Sequence, residues 1–257
     1  MKGTVVIDCF PESVERYRDG YAVVAIDVIR ATTTATTALS MGWRIFPART
    51  TDEAAIRAAE LIEPLLVGEL GGNTPFGFDL TNSPAQLATR SDVHRPMVLV
   101  SSSGTQLVIG AAGAEAVYLA CFRNYTAVAR HIAGRHSRVA VIGAGTRGQF
   151  RREDQLGCAL VAEGLMKEGY IPDTQETIDI ITRWQSHAFE TVRDGRSADY
   201  LRRSGQEQDL DFVLGHIDDL DTVPTLVGTE LVDAVSCPAV STVVRTGVFP
   251  SADARTQ

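Results

Sequence analysis

Short apolar, β-branched runs alternate along the chain with small-residue loops and helical stretches. Tyr21 to Val28 is apolar at nearly every position, the pattern of a strand covered on both faces in a parallel sheet. Ala31 to Met41 then reads as a helix stopped by Gly42, and Arg44 to Pro47 as another strand. Thr51-Asp52-Glu53 opens a helix to about Leu61 with a hydroxyl cap and an acidic first turn. The pattern then returns. Met97 to Val100 is a strand, Ser101 to Thr105 a loop, Gln106 to Ala112 a helix, Ala116 to Leu119 a strand and Tyr125 to Ala133 a helix.

A third unit follows, with a strand over Arg138 to Ile142, a glycine-rich turn over Gly143 to Gly148 and a helix from about Glu153 to Lys167. Asp173 to Asp211 reads as helical and polar. Strands alternating with helices imply an α/β fold, three layers α/β/α around a largely parallel or mixed sheet. No Gly-, Ser- or Pro-rich linker divides it, so residues 1–238 read as a single domain, with 239–257 as a C-terminal tail. Residues 21–62 and 97–133 follow the same order of elements, which suggests an internal duplication.

Charge narrows the partners. With 24 cationic against 32 acidic residues the net charge is −8, which argues against a nucleic-acid binder working through a basic field. Only Lys2 and Lys167 among the cations are lysines, so any anion site must be built from guanidinium groups, backbone amides and hydroxyls. Cys9, Cys121, Cys158 and Cys237 are scattered, which reads as reduced thiols in a cytoplasmic protein, and no apolar run approaches a membrane span. Were the chain a homodimer, a sheet edge or the tail after Pro238 would pair the subunits.

Four stretches could carry chemistry. Asp27 ends a buried strand, where a carboxylate is costly unless it binds a metal, a proton or several donors. Arg30, Thr32, Thr33 and Thr34 follow at a helix start that favours anions, and a helix cap would explain one threonine but not the whole set. Glu69, Asp79, Asn82 and Ser83 lie in a Gly-rich stretch offering the oxygen ligands a hard cation takes, although Asn-Ser-Pro is also a good helix start. Ser103, Gly104 and Thr105 belong to a hydroxyl- and amide-rich loop suited to phosphate or carboxylate, as a plain strand-to-helix loop would also be. Gly143 to Gly148 matches G-x-G-x-x-G, but about 20 positions on no acidic residue ends a clear second strand, as a dinucleotide site needs. Beyond it, Glu153 and Asp154 open a helix, where they either favour its dipole or reach a metal. A P-loop, a C-x₅-R loop and a G-x-S-x-G elbow are absent, and Asp27 is followed two positions later by Ile29, so it does not open a D-x-D nucleophile.

These stretches, in order, resemble the 2-phosphosulfolactate phosphatase family of coenzyme M biosynthesis. The resemblance runs through Asp27 to Thr34, Gly68-Glu69, Gly77 to Pro84, Ser103 to Thr105, Phe122 to Asn124 with Thr126 to Ala129, and Gly145 to Asp154, then Ser204-Gly205, Asp209 to Phe212 and Val223-Pro224. It implies a Mg²⁺-dependent phosphatase that converts (2R)-2-phospho-3-sulfolactate to 3-sulfolactate and phosphate. By the resemblance and the residue chemistry together, Asp27 and Arg30 are catalytic, and Asp27, Glu69, Asp79 and Asp154 are metal ligands. Thr32, Thr33, Thr34, Asn82, Ser83, Ser103, Gly104, Thr105, Arg123 and Asn124 are substrate-binding. The chain departs from the family at Ser103, Gln106 and Leu70, where members commonly carry Asn, Arg and a basic residue. If those cations hold the sulfonate, another small 2-phospho-hydroxy acid would be the substrate. A non-catalytic small-anion binding protein is the rival of a different class.

Overall fold

The structure is a computed structural model that describes residues 3–145, 149–185 and 188–236. Strand β1 is Thr4–Asp8 and β2 is Ala22–Ile26, followed by α1 (Ala31–Ser40), β3 (Ile45–Ala48), α2 (Thr51–Ala59) and β4 (Leu65–Gly68). Next come α3 (Pro84–Leu87), β5 (Met97–Val100), α4 (Gly104–Gly110), β6 (Ala116–Ala120), α5 (Tyr125–Ile132), β7 (Arg138–Gly143) and α6 (Arg152–Lys167). Strand β8 is Ile171–Pro172, then α7 (Gln175–Trp184), α8 (Arg196–Arg203), α9 (Glu207–Gly215), β9 (Pro224–Val227) and β10 (Glu230–Asp233). The pattern-based elements from β2 to α6 are all present, with ends shifted by a residue or two. The polar segment after Asp173 resolves into α7, a 3₁₀ turn over Phe189–Asp194, α8 and α9. Strands β1, β4, β8, β9 and β10 are additions. They are short, and their period-2 signal is too brief to separate from a loop.

Among the described residues ten strands form one mixed, mostly parallel sheet in the order β4-β5-β3-β10-β9-β6-β2-β7-β1-β8. Two parallel blocks, β4-β5-β3 and β6-β2-β7-β1-β8, flank the β9–β10 hairpin. Strands β2 and β3, from the first repeated segment, pair with β6 and β5 of the second, so each segment supplies one strand to each block. Three successive antiparallel contacts make the blocks run in opposite senses. The hairpin meets each block through a single residue pair, Tyr118 with Thr225 and Leu231 with Ile45, so the sheet is not one flat ladder. Helix α1 spans this junction, packing on β3, β6, β9 and β10.

All five residues of β2 are buried. Ala22, Val24 and Ile26 join the core under α5, α6 and α7, while Val23 and Ala25 join the core under α1 and α4. This is why the strand reads as a continuous apolar run. A third, smaller core holds Phe46, Ala48, Val98 and Val100 under Ala54 of α2. Helix α2 has the expected hydroxyl cap one residue earlier, at Thr50 rather than Thr51: Thr50 Oγ1 accepts from Glu53 N–H (3.1 Å) and Glu53 Oε2 accepts from Arg49 N–H (2.8 Å). Within the described residues no helix is long and apolar enough to cross a membrane. The tail 239–257, with Cys237 and Pro238, lies outside the described residues.

In the middle of β6, Tyr118 packs edge-on against His131 of α5 and exchanges a 3.0 Å hydrogen bond with His136 Nε2. Burial, then the Arg135 charge, lowers the His131 pKa to about 4. The unfolded chain therefore takes up a proton near pH 6.5 that the folded chain refuses. Stability carried by this group is complete above that pH and declines as the pH falls toward 4. Thermal melts from about pH 7.5 to about pH 4.5 should show wild type losing more stability than His131→Gln; equal losses would exclude His131 as the source.

Candidate active site

Asp27 follows β2, Glu69 follows β4, Ser102 and Ser103 follow β5, and Ala144 follows β7; all line one cavity of about 310 Å³. Opposing blocks thus deliver their carboxyl-end loops to one place, the location open α/β sheets use for ligands. The N-terminus of α6 adds Arg151 and Asp154, and α8 adds Arg196, Ser197, Tyr200 and Leu201.

The carboxylates are held by backbone amides. Asp27 Oδ1 accepts from Ala31 N–H at 3.3 Å, and Asp154 Oδ1 accepts from Val28 N–H at 2.8 Å. The other oxygen of each accepts from no described donor. Glu69 Oε1 accepts from Ser102 N–H (2.7 Å), and its Oε2 accepts from Gly72 N–H (2.7 Å) and the Ser102 hydroxyl (3.0 Å). Burial, with Glu69 and Glu153 nearby, pushes the Asp27 carboxyl up to about 7 against the pull of the Ala31 amide and Arg30. Burial first, then Asp27 and Glu153, raises Asp154 well above the usual carboxylate range. Glu153 is buried as well, and its Oε1 has no hydrogen-bond partner among the described residues. Gly104 makes room for this arrangement, because a Cβ there would stand 2.4 Å from Asp27 Oδ2.

Arg30 is 4 % exposed at the cavity wall. Its Nη1 donates to Asp209 Oδ2 (2.5 Å) and to Gln206 Oε1, and its Nη2 donates to Thr81 Oγ1 (3.2 Å). Three of the five guanidinium donors are thereby committed. Asp209 Oδ1 accepts from the Ser83 hydroxyl and from Ala85 N–H at 3.3 Å. One buried ion pair therefore joins the loop after β2, the loop before α3, and α9.

The family model for 2-phosphosulpholactate phosphatase matches residues 9–229. A probable 2-phosphosulfolactate phosphatase of Deinococcus radiodurans is 34% identical over 226 residues, covering 86% of this chain and 92% of that protein. Proteins of the same description from Thermotoga petrophila (33%, 79% and 88% covered) and Symbiobacterium thermophilum (34%, 78% and 85%) are also similar. This chain belongs to the 2-phosphosulfolactate phosphatase family.

In this family member the sequence-derived site residues divide into two groups. Asp27, Arg30, Glu69, Asn82, Ser103 and Asp154 line the cavity, and Gly104 packs on Asp27. The remainder face elsewhere. Thr32 Oγ1 donates to Asp27 C=O (2.8 Å), Thr33 Oγ1 to Val28 C=O (2.7 Å) and Thr34 Oγ1 to Asn82 C=O (2.7 Å), so these hydroxyls shape the loop. Thr105 exchanges hydrogen bonds with Ser101, and Ser83 caps α3 while holding Asp209. Asp79 is exposed, accepting from Leu66 N–H (2.8 Å) and pairing with Arg95 (3.5 Å). Arg123 is bidentate to Asp219 (2.9 and 2.7 Å) and donates to Thr37. Asn124 accepts from Cys121 N–H (2.9 Å) and donates to Leu119 and Thr222 carbonyls. Leu70 and Gln106 are exposed and do not line the cavity. Of the glycine-rich turn, 146–148 lies outside the described residues.

Arg151, Arg196, Ser197 and Tyr200 are site residues that sequence reasoning did not single out. Arg151 stood next to a recognised acidic pair, but Arg196 to Tyr200 sits in a polar helical stretch with no motif. Replacing Asp209 with Ala strands the Arg30 charge, and should cost roughly 3–5 kcal/mol in denaturant unfolding; an unchanged midpoint would show the pair to be dispensable. Asn124→Ala should lower stability by about 1–3 kcal/mol while kcat/KM stays near wild type, and a selective loss of activity would return Asn124 to the site.

Proposed function

We propose that this chain is a phosphatase that hydrolyses the phosphomonoester of 2-phospho-3-sulfolactate, releasing 3-sulfolactate and phosphate, with Mg²⁺ as its cation. The observation that carries the reading is the meeting of Asp27 and Asp154, two buried carboxylates with raised pKa values, in a small cavity of a member of this family. Buried acids without a compensating charge cost stability unless a cation or a proton neutralises them.

The donor set suits Mg²⁺ of a particular kind. Among the described residues no three His, Cys, Asp or Glu side chains form a ready ligand group. Two carboxylates, each with one oxygen uncommitted, fit a cation that completes its shell with water and substrate phosphate, as Mg²⁺ commonly does. Asp27 and Asp154 would hold it, with Glu69 behind them fixing the Gly72 turn and the Ser102 loop. The bound cation supplies neutralisation of the phosphoryl oxygens as charge shifts in transfer.

The protein's own groups account for the rest. Arg30, anchored by Asp209, has two N–H donors left for a phosphoryl oxygen, in an orientation its buried partners hold rigid. The main-chain bonds of Thr32 and Thr33 keep the strand-to-helix turn in the shape that aims Asp27 into the cavity. Ile29, Ala144 and Leu201 supply apolar wall that limits competing water.

Phosphate release from 2-phosphosulfolactate should be fast with Mg²⁺, abolished by EDTA and restored by added Mg²⁺. Activity that survives EDTA would overturn the metal assignment, and no release at all would overturn the substrate. Asp27→Asn keeps the volume and removes the charge, so kcat should fall by roughly 10³-fold or more with the melting curve retained. A folded Asp27→Asn protein of full activity would remove Asp27 from the reaction.

A further inference from the structure

The proposed reaction uses the acids of the cavity and Arg30 but leaves its other cations unexplained. Among the described residues three guanidinium groups line it, those of Arg30, Arg151 and Arg196. Arg30 is neutralised by Asp209 at 2.5 Å, with both side chains shut away from water. The side chains of Arg151 and Arg196 make no hydrogen bond or ion pair with any other described residue. Six arginines elsewhere show what the alternative looks like: Arg44, Arg57, Arg90, Arg123, Arg193 and Arg202 each hold a carboxylate, while Arg16, Arg130 and Arg152 also hold none but do not line the cavity.

Arg151 lowers the proton affinity of the buried Glu153 and Asp154 without a direct bond to either, and neither guanidinium fork is committed to another described residue, so the arrangement is suited to a ligand that brings its own negative charge. The wall that carries Arg196 is also built firmly. Tyr200, one turn further along α8, donates its hydroxyl to Gly72 C=O at 2.5 Å, tying the helix to the turn after β4. Gly72 admits that contact because a Cβ would stand 2.4 Å from Tyr200 Oη. On the other side, Glu153 is buried beneath Gly195 and Ser197, the residues that flank Arg196. Arg151 enters from the residue preceding α6, three positions before Asp154.

We propose that Arg151 and Arg196 form the receptor for the two anions of the substrate that are not transferred. The site would then select short phospho-acids bearing both a sulfonate and a carboxylate over simple phosphomonoesters. The inference rests on the proposed function and adds the groups that set its specificity. A guanidinium fork matches either anion with two parallel hydrogen bonds, and two unpaired forks answer two anions. In this chain the role would fall to α8 and the start of α6 rather than to Leu70 or Gln106, which do not line the cavity.

The test compares wild type with Arg151→Gln, Arg196→Gln and the two lysine variants. Phosphate release is followed from 2-phosphosulfolactate, phospholactate and p-nitrophenyl phosphate, and calorimetry reads binding of 3-sulfolactate, which carries no phosphate. Each glutamine variant should lose roughly tenfold to hundredfold of the preference for phosphosulfolactate over p-nitrophenyl phosphate, chiefly through KM. Binding of 3-sulfolactate should weaken in step, with the lysine variants intermediate. Variants that keep both the wild-type preference and wild-type binding of 3-sulfolactate would overturn the receptor while the proposed function stood. A wild-type protein that binds 3-sulfolactate through these arginines yet releases no phosphate would uphold the receptor and overturn the proposed function.

Discussion

The site depends on a guanidinium and a carboxylate that have both left water. Arg30 and Asp209 are 179 residues apart in the chain, and their contact holds three segments in one register. A buried pair of this kind returns little net stability, since the desolvation of both ions consumes most of the Coulombic gain. What it provides here is position. Asp209 receives Ser83, Ala85 and Arg30 together, so the loop before α3, the turn before α1 and the helix α9 cannot move independently. The loop carrying Asp27 inherits that rigidity.

Against this fixed corner the carboxylates are kept in a state that folding alone would not favour. Asp27, Glu153 and Asp154 are buried near one another, and each raises the others' proton affinity or is raised by burial. Backbone amides at Ala31 and Val28 offset part of the cost. The remainder is an electrostatic demand for a cation or a proton, and it sits where loops from two oppositely running strand blocks meet. That opposition is itself informative. In a flat sheet, opposed blocks would place their carboxyl ends at opposite edges; here each block meets the β9–β10 hairpin through a single residue pair, and loops after β2 and β7 line one cavity with loops after β4 and β5.

Much of the scaffold was legible. The apolar run of β2 is continuous because its two faces feed two cores, and the Ala31 helix, the capped Thr51 helix and the Met97 strand follow from local periodicity and capping. Asp27, Arg30, Glu69 and Asp154 were recognisable because charged groups at strand ends and helix starts have few purely structural uses. The threonines after Arg30 were harder. A hydroxyl near a helix start can face a ligand or its own main chain, and here Thr32 and Thr33 chose carbonyls within five residues. Arg123 and Asn124 lie in a family motif, yet one clamps Asp219 and the other closes a turn over Cys121. A motif marks residues that a fold uses together, without saying whether the use is chemical or mechanical.

The amino-acid sequence by itself determined the α/β class, the strand-to-helix units and the acids Asp27, Glu69 and Asp154 that line the cavity, because hydrophobic period, caps and strand-end charges are local signals. Strand order, the opposed sense of the two blocks and the choice of which loops meet were decided by tertiary structure, since they depend on contacts between residues tens to hundreds of positions apart. The same holds for the cations. Every arginine reads alike in the sequence, and only the packing of α8 against the Gly72 turn separates Arg196, at the rim of the cavity, from arginines that hold a carboxylate on the surface.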